Sequence, residues 1–145
     1  QINGKYKIFT ETGRVNTNID LHDWIDQVQK LEVGEIILTD IFSEGKGKGF
    51  NIELFKDIRK RVDTQLVAHG GAGPKENILD IFNFCDVDAV SIASLFHYHY
   101  LKPDDNSELK GSNYFIHFLD KNEKRGLSII ELKKYLKSNG VKVRL

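Results

Sequence analysis

A glycine cluster follows a short apolar segment in the middle of the chain, at Gly70, Gly71 and Gly73. Residues 66–68 predict the β-strand before it, and Pro74 predicts the first turn of a helix after it. Glycine lets the backbone approach an oxyanion closely, and the first turn of a helix carries unpaired N–H groups that can donate to a phosphate. The pattern therefore predicts a phosphate-binding loop, although a tight strand-to-helix turn without a ligand would use the same residues.

A second apolar segment, residues 89–92, ends just before Ser94 and a short aromatic stretch over residues 95–98. In (β/α)8 barrels a phosphate site often lies at the loops after the last two strands and at a short extra helix. We therefore expect Ser94 and the glycine cluster to hold one phosphate together.

Other polar residues carry weaker signals. Lys46 and Lys48 lie in a loop that could contact a phosphate, but a glycine- and lysine-rich loop is usually exposed and solvated. His97 and His99 have no cysteine or acid at ligand spacing, so we expect no metal site. His69 could contact a phosphate or have a structural role, and the sequence leaves both open. Two acids, Asp40 and Glu44, could also act as an acid or base at the same edge of the sheet.

Alternating apolar strands and amphipathic helices predict a hairpin followed by a parallel β-α-β-α-β unit. The hairpin is expected to pair residues 5–10 with 14–18 around Gly13, and Asp20 to cap a helix over 21–31. Further strands are expected at 35–41, 65–68 and 89–92, with helices at 51–62, 74–85 and 129–138, the last one capped by Ser128. We expect the continuous apolar run of the strand at 35–41 to be buried. We also expect one face of the helix at 21–31 to be buried, formed by Leu21, Trp24, Ile25, Val28 and Leu31.

The charge balance and cysteine content of the chain indicate which partners and which compartment to expect. The chain has 145 residues with 21 basic and 21 acidic side chains, a neutral balance that favours neither a nucleic-acid nor a membrane partner. The single cysteine, Cys85, excludes an internal disulfide and is typical of a reducing, cytoplasmic compartment. We expect one domain over residues 1–145, with the hairpin at 1–19 and an atypical polar segment at 100–127. Because three parallel strands do not close a barrel, the domain is either a small open sheet or part of a barrel.

Several segments in order resemble the cyclase subunit of imidazole glycerol phosphate synthase, a family of histidine biosynthesis. The resemblance covers nearly the whole chain except roughly residues 98–125. It is carried by the hairpin at 9–18, Asp-Leu-His-Asp-Trp at 20–24, Gly-Glu-Ile-Ile-Leu-Thr at 34–39, Gly-Gly-Ala-Gly at 70–73, Ala-Ser-Leu-Phe-His at 93–97 and the tail at 131–145.

The resemblance implies an α/β fold, namely the C-terminal portion of a (β/α)8 TIM barrel with about strands six to eight and the preceding hairpin. It implies a cyclase that uses ammonia from a glutaminase partner to convert a phosphoribulosyl aminoimidazole carboxamide nucleotide to imidazole glycerol phosphate, with no cofactor. The family's two catalytic aspartates lie on strands one and five, which would precede Gln1. We therefore assign no catalytic residue to this chain and expect an N-terminal half-barrel as a further partner.

The resemblance also implies binding residues for a phosphorylated small molecule. Glu35 would belong to a charged gate at the N-terminal end of the barrel, where ammonia enters and where the glutaminase docks. The substrate would be bound by Thr39, Gly45, Gly70, Gly71, Gly73 and Ser94.

This chain departs from the family pattern around the expected substrate. The loop after strand six usually has Ser-Ile-Asp-Arg-Asp-Gly-Thr, whereas residues 40–46 are Asp-Ile-Phe-Ser-Glu-Gly-Lys, and His69 stands where serine or cysteine is common. Residues 100–127 have no family counterpart. Two alternatives therefore stay open: a paralogous ammonia-transfer subunit acting on a nucleotide sugar in surface-polysaccharide synthesis, and a non-catalytic barrel piece.

Overall fold

The structure is a computed structural model that describes residues 4–100 and 126–144, apart from the side chains of Tyr98 and Tyr100. Most of the predicted atypical segment at 100–127 lies outside these residues. Strands β1 (Lys7–Thr10) and β2 (Val15–Asp20) form an antiparallel hairpin. Glu11, Thr12 and Gly13 all have positive φ in the connecting turn, and the φ of +85° at Gly13 is the one that favours glycine.

The rest of the described chain alternates helices and parallel strands, as expected. Strand order is β3-β4-β5, and both pairings are parallel. The α/β class and the parallel sheet are therefore confirmed. The elements are α1 (Leu21–Gln29), β3 (Glu35–Thr39), α2 (Ile52–Arg59), β4 (Gln65–His69), α3 (Lys75–Cys85), β5 (Ala89–Ser91), α4 (Ser94–Tyr100) and α5 (Ile129–Ser138).

Helix starts follow the predicted caps. The Asp20 carboxylate accepts from His22 N at 3.0 Å, and Asn51 Oδ1 accepts from Leu54 N at 3.2 Å. Ser128 forms a capping box with Glu131, in which each residue's side chain accepts from the backbone N–H of the other. These caps satisfy amides that have no partner within the helix, and so they fix where each helix begins.

The core lies between the sheet and the helices on one of its faces. Ile36, Leu66 and Ala68 point to that side and pack in one cluster with helix residues such as Phe55 and Ile58. Successive strand residues point to opposite faces, so Ile37 and Val67 point the other way. Ile37 is 59% exposed, and the expectation that the whole apolar run of β3 is buried was wrong at this residue. Among the described elements, the helices cover one face of the sheet.

The predicted apolar face of α1 was partly wrong. Leu21 and Ile25 are buried, but Trp24 is 40% exposed and Leu31 is 75% exposed. The helix ends at Gln29, so Leu31 lies beyond its last turn. Trp24 lies at the edge of the buried stripe and lines a surface groove that runs from the hairpin to β3.

Candidate functional site

The loop after β3 is folded by a buried carboxylate. Asp40 is 8% exposed, and its Oδ1 accepts from Phe42 N at 3.1 Å while its Oδ2 accepts from Ser43 Oγ at 2.6 Å. The Asp40 carbonyl oxygen also accepts from the amides of Ser43 and Glu44. Both carboxylate oxygens are therefore used by the turn. This arrangement fits a structural role for Asp40 better than the acid or base role that the sequence suggested.

The glycine cluster after β4 packs directly against the loop after β3. A Cβ atom at Gly70 would collide with the Asp40 carbonyl oxygen, one at Gly71 with that of Gly49, and one at Gly73 with that of Gly47. Gly70 and Gly71 also have φ of +90° and +111°, which other residues rarely adopt. Glycine is thus required here by the approach of two backbones, whether or not a ligand binds.

Three amides of the glycine loop lack an acceptor in the part of the chain that the structure describes, although Gly71 and Gly73 are themselves buried. Among the described residues, the N–H groups of Gly71, Ala72 and Gly73 have no hydrogen-bond acceptor. Helix α3 begins directly after the loop, and its N-cap, Pro74, makes no side-chain cap hydrogen bond. A helix start of this kind leaves further unpaired amides beside the loop.

Ser94 lies at the same edge of the sheet as the glycine loop. Strands β4 and β5 are parallel neighbours, with His69 in register with Ser91, and the two loops that follow them leave from the same ends. Ser94 begins α4 and is half-buried. The topology therefore brings Ser94 to the side of the sheet where Gly70, Gly71 and Gly73 lie.

Thr39 and Gly45, the two remaining predicted binding residues, come from β3 and its loop. Thr39 is in register with His69, and its Oγ1 lies 3.0 Å from His69 Nδ1. Gly45 is exposed, has a φ of +72°, and has no atom within 4 Å of where a Cβ would stand. Thr39 thus belongs to the same edge, whereas Gly45 lies on an exposed part of the adjoining loop.

Glu35 lies at the opposite end of β3, in register with Gln65. Glu35 and Thr39 are four positions apart, and alternate residues share a face, so both lie on the sheet face away from the helices. The predicted gate residue and the predicted phosphate loop are therefore at opposite ends of the sheet, as the sequence analysis expected for a barrel.

A polar cavity of about 410 Å³ lies beside the Asp40 turn. Lys46 and Lys48 line it together with Glu53, so its charges are mixed. Sequence reasoning missed the contact between this loop and the glycine cluster. The signal that could have revealed it is the second glycine series at positions 45, 47 and 49.

Comparison with known proteins decides the family. The family described as "Histidine biosynthesis protein" matches residues 1–102. The chain belongs to this family. It is 32% identical to the imidazole glycerol phosphate synthase subunit HisF of Thermotoga sp. (strain RQ2), over all of this chain and 47% of that protein. It is 34% identical to HisF of Hydrogenobaculum sp. (strain Y04AAS1), over 97% of this chain and 45% of that protein.

Membership in this family confirms the predicted fold class, part of a (β/α)8 barrel, and the β-α-β-α-β unit of this chain consists of the strand-helix repeats from which such a barrel is built. The chain spans about half the length of the relatives it matches. Within residues 4–100 and 126–144, no helix is long and apolar enough to cross a membrane.

Proposed function

We propose that this chain is part of a cyclase of the imidazole glycerol phosphate synthase type and supplies the phosphate-binding edge of its barrel. The observation that carries the proposal is the pair of loops after β4 and β5, which leave the same edge of the sheet in a chain of this family. Backbone amides that face no protein acceptor are good ligands for a phosphate, because each donates to a charged oxygen.

The proposed site consists of Gly70, Gly71 and Gly73 after β4 and Ser94 after β5, with Thr39 and Gly45 contributing from β3 and its loop. The amides of Gly71 and Gly73 donate to the phosphate, and the Ser94 hydroxyl adds a donor from the second loop. The phosphate group holds the substrate, while the rest of the molecule extends over the strand ends.

The chemistry is proposed to need a second segment. An N-terminal half-barrel provides the two catalytic aspartates, and a glutaminase delivers ammonia at the end of the sheet where Glu35 lies. The carboxylate of Asp40 is the buried acid nearest the proposed phosphate loop, and its two oxygens are engaged in the loop turn. Its engagement supports the proposal that proton transfer depends on residues of the other half.

Phosphate binding tests the site directly. Inorganic phosphate is titrated into the chain, and backbone amide signals are followed by ¹⁵N–¹H NMR, with Ser94→Ala as the test variant. We expect shifts at Gly71, Ala72 and Gly73, and an affinity lower by about tenfold in the variant, the usual loss for one hydrogen bond to a charged group.

Gly34→Ala is the matched control, because a Cβ at Gly34 meets no atom within 4 Å and the residue lies at the other end of the sheet. Phosphate should bind this variant like the unchanged chain. If phosphate causes no shift of the amide signals of the glycine loop, the proposed site is refuted.

A second candidate function is ammonia transfer to a nucleotide sugar. Phe42 is 56% exposed beside the proposed site, at a position where the cyclase pattern has an acid. In the same loop, Lys46 replaces a small hydroxyl residue of that pattern.

A turnover assay distinguishes the two candidate functions. The chain is combined with the N-terminal half-barrel of a cyclase and an ammonium salt, and is offered either the ribulosyl nucleotide or a nucleotide sugar. Turnover of the ribulosyl nucleotide is expected, and turnover of the sugar alone would favour the second candidate.

A further inference from the structure

A row of polar side chains crosses the carboxyl edge of the sheet on the face away from the helices. The register pairs Thr39 with His69 and His69 with Ser91, so all three point to the same face at the same level. The level below contains Ile37, Val67 and Ala89, which are apolar. On this face the level next to the glycine loop is therefore polar and the level below it is apolar, while Glu35 and Gln65 form a second polar level at the opposite end.

His69 occupies the centre of this row and is held at one ring nitrogen. Its Nδ1 lies 3.0 Å from Thr39 Oγ1, and its backbone carbonyl accepts from Asp40 N at 3.0 Å. Among the described residues, Thr39 is the one side-chain partner of the imidazole. No residue that the structure describes makes a hydrogen bond with Nε2 of the ring.

The direction of the Thr39–His69 hydrogen bond decides what Nε2 can do, because Nε2 of the neutral ring is an acceptor when Nδ1–H donates to the Thr39 hydroxyl. When the Thr39 hydroxyl donates to Nδ1, the neutral ring has its proton on Nε2, which is then a donor. The protonated ring donates from Nε2 as well. His69 directly precedes Gly70, and an imidazole extends further from the backbone than a serine or cysteine side chain, so Nε2 lies further from β4 than a hydroxyl at this position would.

We propose that His69 is a ligand-contacting residue that donates a hydrogen bond from Nε2 to an oxyanion held at the glycine loop, with Thr39 as its positioning residue. The inference rests on the proposed phosphate site and deepens it. His69 adds a side-chain donor that a serine at this position cannot supply at the same distance. It thereby favours ligands with an anionic oxygen close to the strand ends.

Two substitutions of His69 distinguish the roles of its two ring nitrogens. An asparagine side chain places a polar atom near Nδ1 and none near Nε2, whereas a glutamine side chain places one near Nε2 and none near Nδ1. His69→Asn should therefore keep the Thr39 contact and lose the ligand contact. His69→Gln should do the reverse.

The experiment titrates inorganic phosphate and, separately, glycerol phosphate into the full chain and both variants, and records amide and histidine ring ¹⁵N NMR signals. We expect the His69 Nε2 signal to shift on binding. His69→Asn should lower the affinity about tenfold, as for loss of one hydrogen bond to a charged group, while His69→Gln stays within about threefold of the unchanged chain. The melting temperature should fall more in His69→Gln than in His69→Asn.

The outcomes distinguish this inference from the site on which it rests. Unchanged phosphate affinity in His69→Asn, with amide shifts still present in the glycine loop, overturns the role of His69 and leaves the phosphate site standing. Equal losses of affinity in both variants, each matching its loss of stability, show a purely structural histidine and also overturn it. No phosphate binding by the unchanged chain overturns both proposals.

Discussion

The amide of Gly49 donates a hydrogen bond to the carbonyl oxygen of Gly71 at 2.8 Å, and this contact joins the loops after β3 and β4. The two backbones are so close that a Cβ on Gly71 would collide with the Gly49 carbonyl oxygen and would also press on the Ser43 side chain. The loop that is proposed to bind phosphate is therefore shaped by its neighbour before any ligand arrives.

Replacing Gly71 by alanine should destabilise the chain. The added methyl group forces the loops apart, and the φ of +111° is unfavourable for alanine, so we expect the free energy of unfolding to fall by about 2 kcal/mol or more. Urea denaturation followed by circular dichroism measures the change. In the Gly34→Ala variant the free energy should stay within about 0.5 kcal/mol of the original. Equal stability of the Gly71→Ala chain would show that the loops separate without cost.

Gly71→Ala should also weaken phosphate binding in two ways at once, because the methyl group both distorts the loop and blocks the ligand. Ser94→Ala and His69→Asn remove polar atoms without adding bulk, so they report on ligand contacts more directly.

Stability should fall at acidic pH because of two carboxylates at helix starts. The backbone N–H of His22 lowers the pKa of Asp20 below its ordinary value of 3.8, and the hydroxyl of Ser128 lowers the pKa of Glu131 below its ordinary value of 4.5. A group with a depressed pKa in the folded state stabilises that state above its unfolded pKa, and the contribution is lost as the pH falls through the folded pKa. Thermal unfolding between pH 7 and pH 2 should show this loss below about pH 4.5.

Ser128→Ala isolates the second of these contributions. The variant loses the hydroxyl that caps α5 and lowers the pKa of Glu131, so at pH 7 it should be less stable by about 1 kcal/mol. Its stability should also depend less on pH in the acid range. Ser138→Ala, at the other end of the same helix, serves as the control with little change expected. A cap variant as stable as this control at pH 7 would contradict the prediction.

Cys85 should react slowly with thiol reagents in the folded chain. The side chain is buried in the core, and burial raises the pKa of its thiol above the ordinary value of 9.0. Since the thiolate is the reactive form, both access and ionisation are reduced. A disulfide reagent at pH 8 should label the chain at least about tenfold more slowly in buffer than in 6 M guanidinium chloride, with glutathione as the reference thiol. Comparable rates in the two solvents would mean that this part of the core opens readily.

Much of the fold was predictable because local signals agree with packing. Asp20, Asn51 and Ser128 are polar residues directly before apolar helical patterns, and each one caps its helix. The parallel order β3-β4-β5 follows from strands that alternate with helices. Helix ends were less predictable, since no capping residue marks the point where α1 stops at Gln29, and the apolar pattern continues to Leu31.

The candidate site was predictable in its composition and less so in its contacts. Sequence reasoning named Gly70, Gly71, Gly73 and Ser94 but did not reveal that the glycines pack on the backbone at Gly47 and Gly49. Such contacts join residues more than 20 positions apart, and the glycine series at 45, 47 and 49 marks only one side of them. In the same way, Asp40 has the residue type and position of a catalytic acid, and only the structure reveals its burial and the hydrogen bonds that it accepts from Phe42 N and Ser43 Oγ.

The engagement of Asp40 separates two kinds of change in the β3 loop. Exposed side chains such as Phe42, Glu44 and Lys46 can be replaced while the hydrogen bonds of Asp40 still hold the turn. These positions therefore form a surface on which ligand preference can be engineered. Replacing Asp40 itself would alter the backbone against which the glycine loop packs. A change in ligand specificity would then be accompanied by a change in the conformation of that loop. A library built to select for binding of a chosen phosphorylated compound should therefore vary the exposed positions and keep Asp40 constant.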